Sequence, residues 1–306
     1  MPIVENTHKI EHISCSSYCS FERCPFKYYL QNLEGFTRPE GNTVALDYGR
    51  IMHLCLPLCY EGSAANAIEL FNTEWALTNY GNDDKVRNPI TAACALRNFA
   101  SMRSDRLRPY DLVKMPFSSV NKNEKEKISD YEVSFCLDIG GALPFVGRID
   151  SPITFRADKS IWPMDYKTSR EVSTRLLNSL SESPQAIGYA LATSHLFNID
   201  CKGTAYEVIR SSDKNQEVQF YPSYVKKFQI VEFMASLNDT SSKILEHNEK
   251  KNWPRKRTGC DSYSMYGIAS YNCQYKLLCS VDNWMDASKY FARKEKFNLF
   301  ESVGDE

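Results

Sequence analysis

Apolar positions recur at helical spacing through the first third of the chain and alternate with polar ones through the middle. Residues 14–33 predict a helix. Ser14, Ser16 and Ser17 offer caps, and Phe21, Phe26, Tyr28, Tyr29 and Leu30 form the apolar face. Pro25 divides that segment or opens its second half. Further helices are predicted over 44–60, interrupted at Pro57, over 64–80 and over 89–105. Strands are predicted over 112–120, broken by Pro116, and over 131–139, 144–155 and 160–167. Gly140-Gly141 marks a hairpin turn and 121–127 a polar one. Pro163 is awkward inside the last of these strands. There follow a helix over 183–197, strands over 202–210 and 217–221, and a long helix over 223–250. An irregular stretch over 253–279 and a closing helix over 283–297 end the pattern. The order predicts an α/β fold, a central mixed sheet flanked by helices. One domain is expected over 1–306, with helical parts over 14–110 and 223–306 around a sheet core over 111–222.

Composition narrows the picture. The 306 residues are 42% hydrophobic and 25% charged, which suits a globular chain with a sizeable core. The formal net charge of -1 excludes a globally basic field, so any nucleic-acid binding must come from local patches. No apolar run is long enough to span a membrane, and MPIVENTHKIEHIS lacks a signal-peptide pattern. With 11 cysteines, an odd number, a disulfide framework is not expected, and a cytoplasmic location is.

Two strands carry the candidate chemistry. Asp150 ends GRID (147–150), and DYKTS (165–169) places Asp165 and Lys167 two apart, on one face of a strand. Asp150 reaches Asp165 if the connection between the strands is bent. Two carboxylates and an ammonium around one point suit Mg²⁺ or Mn²⁺ with a water to activate. The other reading is a solvent-facing hairpin with a surface salt bridge. His53, in GRIMH (49–53), offers a nitrogen ligand, and Gln185 and Tyr189 share one face of the following helix.

Cysteines and cations mark the chain's last third. Cys260, Cys273 and Cys279 follow a C-x12-C-x5-C spacing in polar surroundings, and Cys24 is the best fourth ligand for a thiolate site. Cys15 and Cys19 compete with it. Just before Cys260, Lys250, Lys251, Arg255, Lys256 and Arg257 surround Trp253. Cations interleaved with an aromatic suit single-stranded DNA, the ring stacking on a base.

In this order, G-x-x-x-H at 49–53, GRID, DYKTS and Q-x-x-x-Y at 185–189 resemble the PD-(D/E)XK nuclease superfamily in its RecB-like branch. One early and three late cysteines look like the iron–sulfur subset of that branch, which includes AddB nuclease domains and CRISPR-associated RecB-like exonucleases. The resemblance implies a restriction-endonuclease-like core and a metal-dependent DNA nuclease, an exonuclease on single strands or DNA ends. It implies that His53, Asp150, Asp165 and the Tyr166 carbonyl bind Mg²⁺ or Mn²⁺. Lys167 would be the catalytic lysine, Gln185 and Tyr189 would orient DNA or that lysine, and Glu132 would assist. Cys24, Cys260, Cys273 and Cys279 would hold a 4Fe–4S cluster, with Zn²⁺ as the alternative. A recombination or helicase partner would be a separate chain. A catalytically silent nucleic-acid-binding module, or a zinc-stapled interaction domain, remains the alternative to a nuclease.

Overall fold

The computed structural model describes residues 8–37, 43–60, 63–78, 80–81, 84–104, 106–114, 131–211, 217–256, 273–281 and 284–293. A two-residue strand β1 (Ile13–Ser14) leads into α1 (Cys15–Arg23), which Ser14 and Ser17 close with a reciprocal capping box. The helix predicted over 14–33 is three pieces. At Cys24 the backbone is extended (φ -167°), because Pro25 disfavours a helical residue before it. Pro25 then opens the short helix α2 (Pro25–Tyr28), and a π-helical turn follows (Tyr29–Leu33).

After β2 (Phe36–Thr37) come α3 (Val44–Tyr60), α4 (Ala64–Ala76) and α5 (Pro89–Met102). Helix α3 runs through Pro57 without ending. The sheet region contains β3 (Tyr110–Leu112), β4 (Val133–Leu137), β5 (Phe145–Ile149), β6 (Ser151–Phe155) and β7 (Ile161–Ser169). Two crossover helices, α6 (Thr174–Ser181) and α7 (Pro184–Phe197), connect β7 to the parallel strand β8 (Gly203–Arg210). Strand β9 (Val218–Tyr224), α8 (Lys227–Glu249), α9 (Lys276–Cys279), α10 (Trp284–Ser288) and β10 (Ala292–Arg293) complete the order. Within the predicted closing helix over 283–297, the described residues 284–293 hold one short helix and a strand, and the rest lies outside the described residues.

The main sheet is mixed and runs β3-β6-β7-β8-β9; a second sheet runs β1-β5-β4, and β10 pairs with β2. The predicted strand over 144–155 is two strands in different sheets, and the chain bends at Asp150 between them. Pro163 loses nothing in its central strand. It faces Pro152, whose carbonyl points the other way and accepts from Val113 N at 2.9 Å. That pair makes no ladder bond, and on the β8 side pairing begins one residue later, at Met164.

One core lies between α3, α4, α5 and the main sheet, with Tyr48, Met52, Phe71, Phe99, Met164 and Tyr166 buried in it. The other joins α1, the second sheet, α7 and α8 through Ile13, Phe145, Phe233 and Leu237. Alternation along β7 therefore sends Met164 and Tyr166 toward α3, and Asp165 and Lys167 toward α7. Among the described residues, no helix is long and apolar enough to cross a membrane.

Candidate active site

The register of β6 against β7 brings the two carboxylates together. Ser151 pairs with Met164, so one further step along the same ladder sets Asp150 against Asp165. No skewed connection is needed. The bend at Asp150 ends the ladder there, and its Oδ2 accepts the Tyr166 backbone N–H at 3.0 Å. His53 comes from α3 on the other side of the sheet, and its Nδ1 lies 3.1 Å from the same Oδ2. Its ring stands edge-on to Tyr166 at 5.9 Å.

Asp165 is 1% exposed. Lys167 Nζ lies 2.5 Å from its Oδ2, and Gln185 Nε2 donates to its Oδ1 at 3.1 Å. The Gln185 Oε1 accepts from Lys167 Nζ at 3.1 Å, and Nε2 also donates to Tyr189 OH at 3.0 Å. Pro184 at the first position of α7 and the Ser183 cap fix where Gln185 emerges. Gly188 lets α7 come this close, because a Cβ there would sit 2.9 Å from both Cys15 Sγ and a Phe145 ring carbon.

The electrostatics follow from burial and neighbours. Burial raises the Asp165 carboxyl above its ordinary range, and Asp150 adds to this against the opposing charge of Lys167. Burial also pushes Asp150 upward, but His53 and the Tyr166 N–H outweigh it and its net shift is downward. For His53, burial acts downward, and Asp150 and Asp165 carry the net shift upward. Tyr189 is held well above its ordinary value by burial and by both carboxylates. Each carboxylate thus feels the other, and the six side chains form one electrostatic unit.

Among the described residues, no three His, Cys, Asp or Glu side chains stand close enough to cage an ion as they are placed. His53 and Asp150 pair with each other and Asp165 with Lys167. The donor types nevertheless suit a hard divalent cation, and the buried Asp165 Oδ2 has the Lys167 ammonium as its single close partner, which leaves it room to accept a cation as well. Glu132 is ion-paired with Arg148.

A family model of the PD-(D/E)XK nuclease superfamily matches residues 12–281. The chain belongs to the PD-(D/E)XK nuclease superfamily. Its mixed sheet flanked by helices is consistent with the restriction-endonuclease-like fold of that superfamily, whose members are metal-dependent nucleases. No curated protein matches the chain significantly.

The predicted basic surface needs correction at Trp253. Trp253 is 5% exposed and stacks on Tyr28 and Tyr29, with centroids 5.7 and 5.6 Å away, so its ring cannot take a base. Arg255 lies over the Phe26 ring and donates to the Cys279 carbonyl at 3.1 Å. Lys256 Nζ donates to the Glu22 carbonyl at 2.9 Å. Lys250 pairs with Glu246 one turn earlier, and Lys251 stands at φ 49°. Tyr28 and Tyr29 thus draw Trp253 into the core, while Lys250, Arg255 and Lys256 stay exposed. Arg257 and Cys260 lie outside the described residues.

Of the remaining cluster candidates, Cys24 is buried and its Sγ accepts the Lys256 N–H at 3.4 Å, while Cys273 and Cys279 pack against the same core. Protein contacts already tie these ends together: β10 pairs with β2, and Tyr275 donates to the Phe36 carbonyl at 2.6 Å.

A buried cluster on β8 escaped the sequence reading. Arg103 grips Glu207 with two hydrogen bonds, at 2.6 and 2.9 Å, and Tyr110 donates to the same carboxylate. Tyr60 lies 3.0 Å from Tyr110, oxygen to oxygen, and its ring neighbours Tyr166. The signal was there: Glu207 is the one charge in the apolar run TAYEVI.

Proposed function

We propose that the chain is a Mg²⁺- or Mn²⁺-dependent deoxyribonuclease of the RecB-like branch, an exonuclease acting on single-stranded DNA or DNA ends. The observation that carries this reading is the convergence on one point of His53 and Asp150 with Asp165, Lys167, Gln185 and Tyr189. His53, Asp150, Asp165 and the Tyr166 carbonyl would hold the cation. When bound, it supplies positive charge to a phosphate and acidity to a water.

The chain's own residues do the rest. Lys167 is the one ammonium in the cluster and is 22% exposed, open enough to reach a phosphate or an attacking water. Gln185 holds Lys167 and Asp165 in register through two different atoms, fixing the ammonium before substrate arrives. Tyr189, kept protonated, braces Gln185. The Asp150 carboxyl is held low beside an imidazole of raised pKa, while burial holds the Asp165 carboxyl high, a shift that a bound cation would oppose.

The test is cleavage of end-labelled single- and double-stranded DNA, with each metal and with EDTA. Metal-dependent release of nucleotides from an end supports the reading. Binding without cleavage would favour the silent module.

Cys24, Cys260, Cys273 and Cys279 are proposed to hold a 4Fe–4S cluster. In support, an amide N–H already points at the Cys24 sulfur, and Cys273 and Cys279 share its core. A brown protein whose visible absorption is lost in Cys24→Ser supports the cluster; a colourless protein with stoichiometric zinc supports the alternative.

A further inference from the structure

Asp150 lies at the bend between β5, which ends at Ile149, and β6, which begins at Ser151, and it belongs to neither strand ladder. A carboxylate at such a bend takes its aim from the bonds its own residue makes, and groups behind a metal ligand set how well it meets a cation.

Both ends of Asp150 lead to Tyr166. Its Oδ2 accepts the Tyr166 backbone N–H at 3.0 Å. Its backbone carbonyl accepts the Ser151 hydroxyl at 2.7 Å, and the Ser151 oxygen lies 3.1 Å from the Tyr166 hydroxyl. A serine hydroxyl carries one proton. Ser151 gives it to the Asp150 carbonyl, so Tyr166 is the donor to Ser151. The bonds close a circuit from the Tyr166 hydroxyl through Ser151 and Asp150 back to the Tyr166 amide. Ser151 and Tyr166 are buried, so solvent does not substitute for these bonds.

The same side chain reaches the other ligand that comes from outside β7. His53 stands edge-on to the Tyr166 ring, and its Nδ1 meets Asp150 Oδ2. Tyr60 and Phe99 hold that ring in place, with centroids 6.5 and 6.3 Å away. Tyr60 in turn lies 3.0 Å from the Tyr110 hydroxyl, which donates to Glu207. The bend at Asp150 is thereby backed by the fully bonded cluster on β8. Tyr166 points into the core under α3, away from Asp165 and Lys167, so its side chain cannot touch substrate.

We propose that the Tyr166 hydroxyl and Ser151 are positioning groups that hold Asp150, and through it His53, in the arrangement that receives the divalent cation. This rests on the nuclease reading above.

The test reads binding and local order, not cleavage. Tyr166→Phe and Ser151→Ala each remove one hydroxyl and leave every charge and every candidate ligand in place. Tyr48→Phe is the control: its hydroxyl is buried in the same core and accepts from Ser211 Oγ at 3.1 Å. Mn²⁺ affinity of the full chain without DNA, from the electron paramagnetic resonance of free Mn²⁺, is expected to weaken about tenfold in both circuit variants and to stay at the wild-type value in the control. Hydrogen exchange at the residue 166 amide is followed by NMR without metal, relative to amides of β8. It is expected to quicken roughly tenfold in the circuit variants alone, because its acceptor has come loose. A purely structural role would lower stability in all three variants and single out neither readout. If the wild-type chain binds Mn²⁺ and Tyr166→Phe matches the control in either readout, the proposal is overturned and the nuclease reading stands. If the wild-type chain binds no Mn²⁺, the nuclease reading fails, and the amide alone decides whether the circuit holds Asp150. Tyr166→Phe keeps the ring and its packing, so it decides the matter even if Ser151→Ala misfolds.

Discussion

Two ionic clusters sit on neighbouring strands, one residue apart in register. Glu207 on β8 pairs with Tyr166 on β7, and Asp165 precedes Tyr166. Both carboxylates are buried and both have a cation at hand. Their satisfaction differs. Glu207 receives two bonds from Arg103 and one from Tyr110, and both of its oxygens are used. Asp165 has one partner on each oxygen, Gln185 on Oδ1 and the partly exposed Lys167 on Oδ2, against three bonds and a guanidinium fork on Glu207. A buried charge with complete partners holds a fold in one arrangement; one with incomplete partners keeps bonding capacity for something not yet bound. Proximity of opposite charges alone does not distinguish the two.

The contrast can be broken by substitution. The largest effect is expected at Lys167→Ala: DNA cleavage falls by about 10³-fold or more, while circular dichroism keeps the folded signature and the melting temperature falls by only a few degrees, since Asp165 loses a partly exposed partner. A similar change at Glu207 has the opposite signature. Glu207→Ala leaves Arg103 buried and unpaired, and urea unfolding is expected to show a loss of about 3–5 kcal/mol.

Asp165→Asn sharpens the comparison further. Burial raises the Asp165 carboxyl, so the folded state binds its proton more tightly than the unfolded chain. Stability contributed by this group therefore falls as pH climbs above the ordinary carboxylate range and through the raised folded pKa. Asn removes it. Thermal unfolding at neutral pH is expected to rise by about 2–4 °C, for roughly 1 kcal/mol, although cleavage is lost. No rise, or a fall, would mean that Lys167 and Gln185 compensate the burial of Asp165 in full.

The smallest effect concerns His53. Its folded pKa is raised by Asp150 and Asp165, so the pair's stabilisation is complete below the ordinary imidazole value and is lost as pH rises through the folded one. The ring is 33% exposed, so the loss is a few tenths of a kcal/mol. Urea midpoints above neutral pH should decline in wild type and stay flat in His53→Gln.

Much of the candidate site was legible because its residues are close in sequence or follow strand and helix periods. Asp165 and Lys167 share a face two residues apart, and Gln185 and Tyr189 share one four apart. The convergence of Asp150 was legible only in part. A bend separates β5 from β6, yet the apolar run over 144–155 crosses it without a break in pattern. Pro163 was misread because its acceptability depends on which way Pro152 points, a property of pairing and not of either residue. Trp253 shows the limit most clearly. Its cationic neighbours read as a solvent-facing surface, but Tyr28 and Tyr29, more than 200 positions away, supply the aromatic faces that bury it. Long-range partners also hid the Arg103–Glu207 pair, which spans 104 residues.

One measurement bears most directly on the nuclease reading: the rate at which purified wild type, Asp165→Ala and Lys167→Ala cleave end-labelled DNA in Mg²⁺ or Mn²⁺, with unfolding curves taken on the same samples. The account predicts metal-dependent cleavage by wild type and none by either variant, all three folded. Cleavage at the wild-type rate by either folded variant would contradict it.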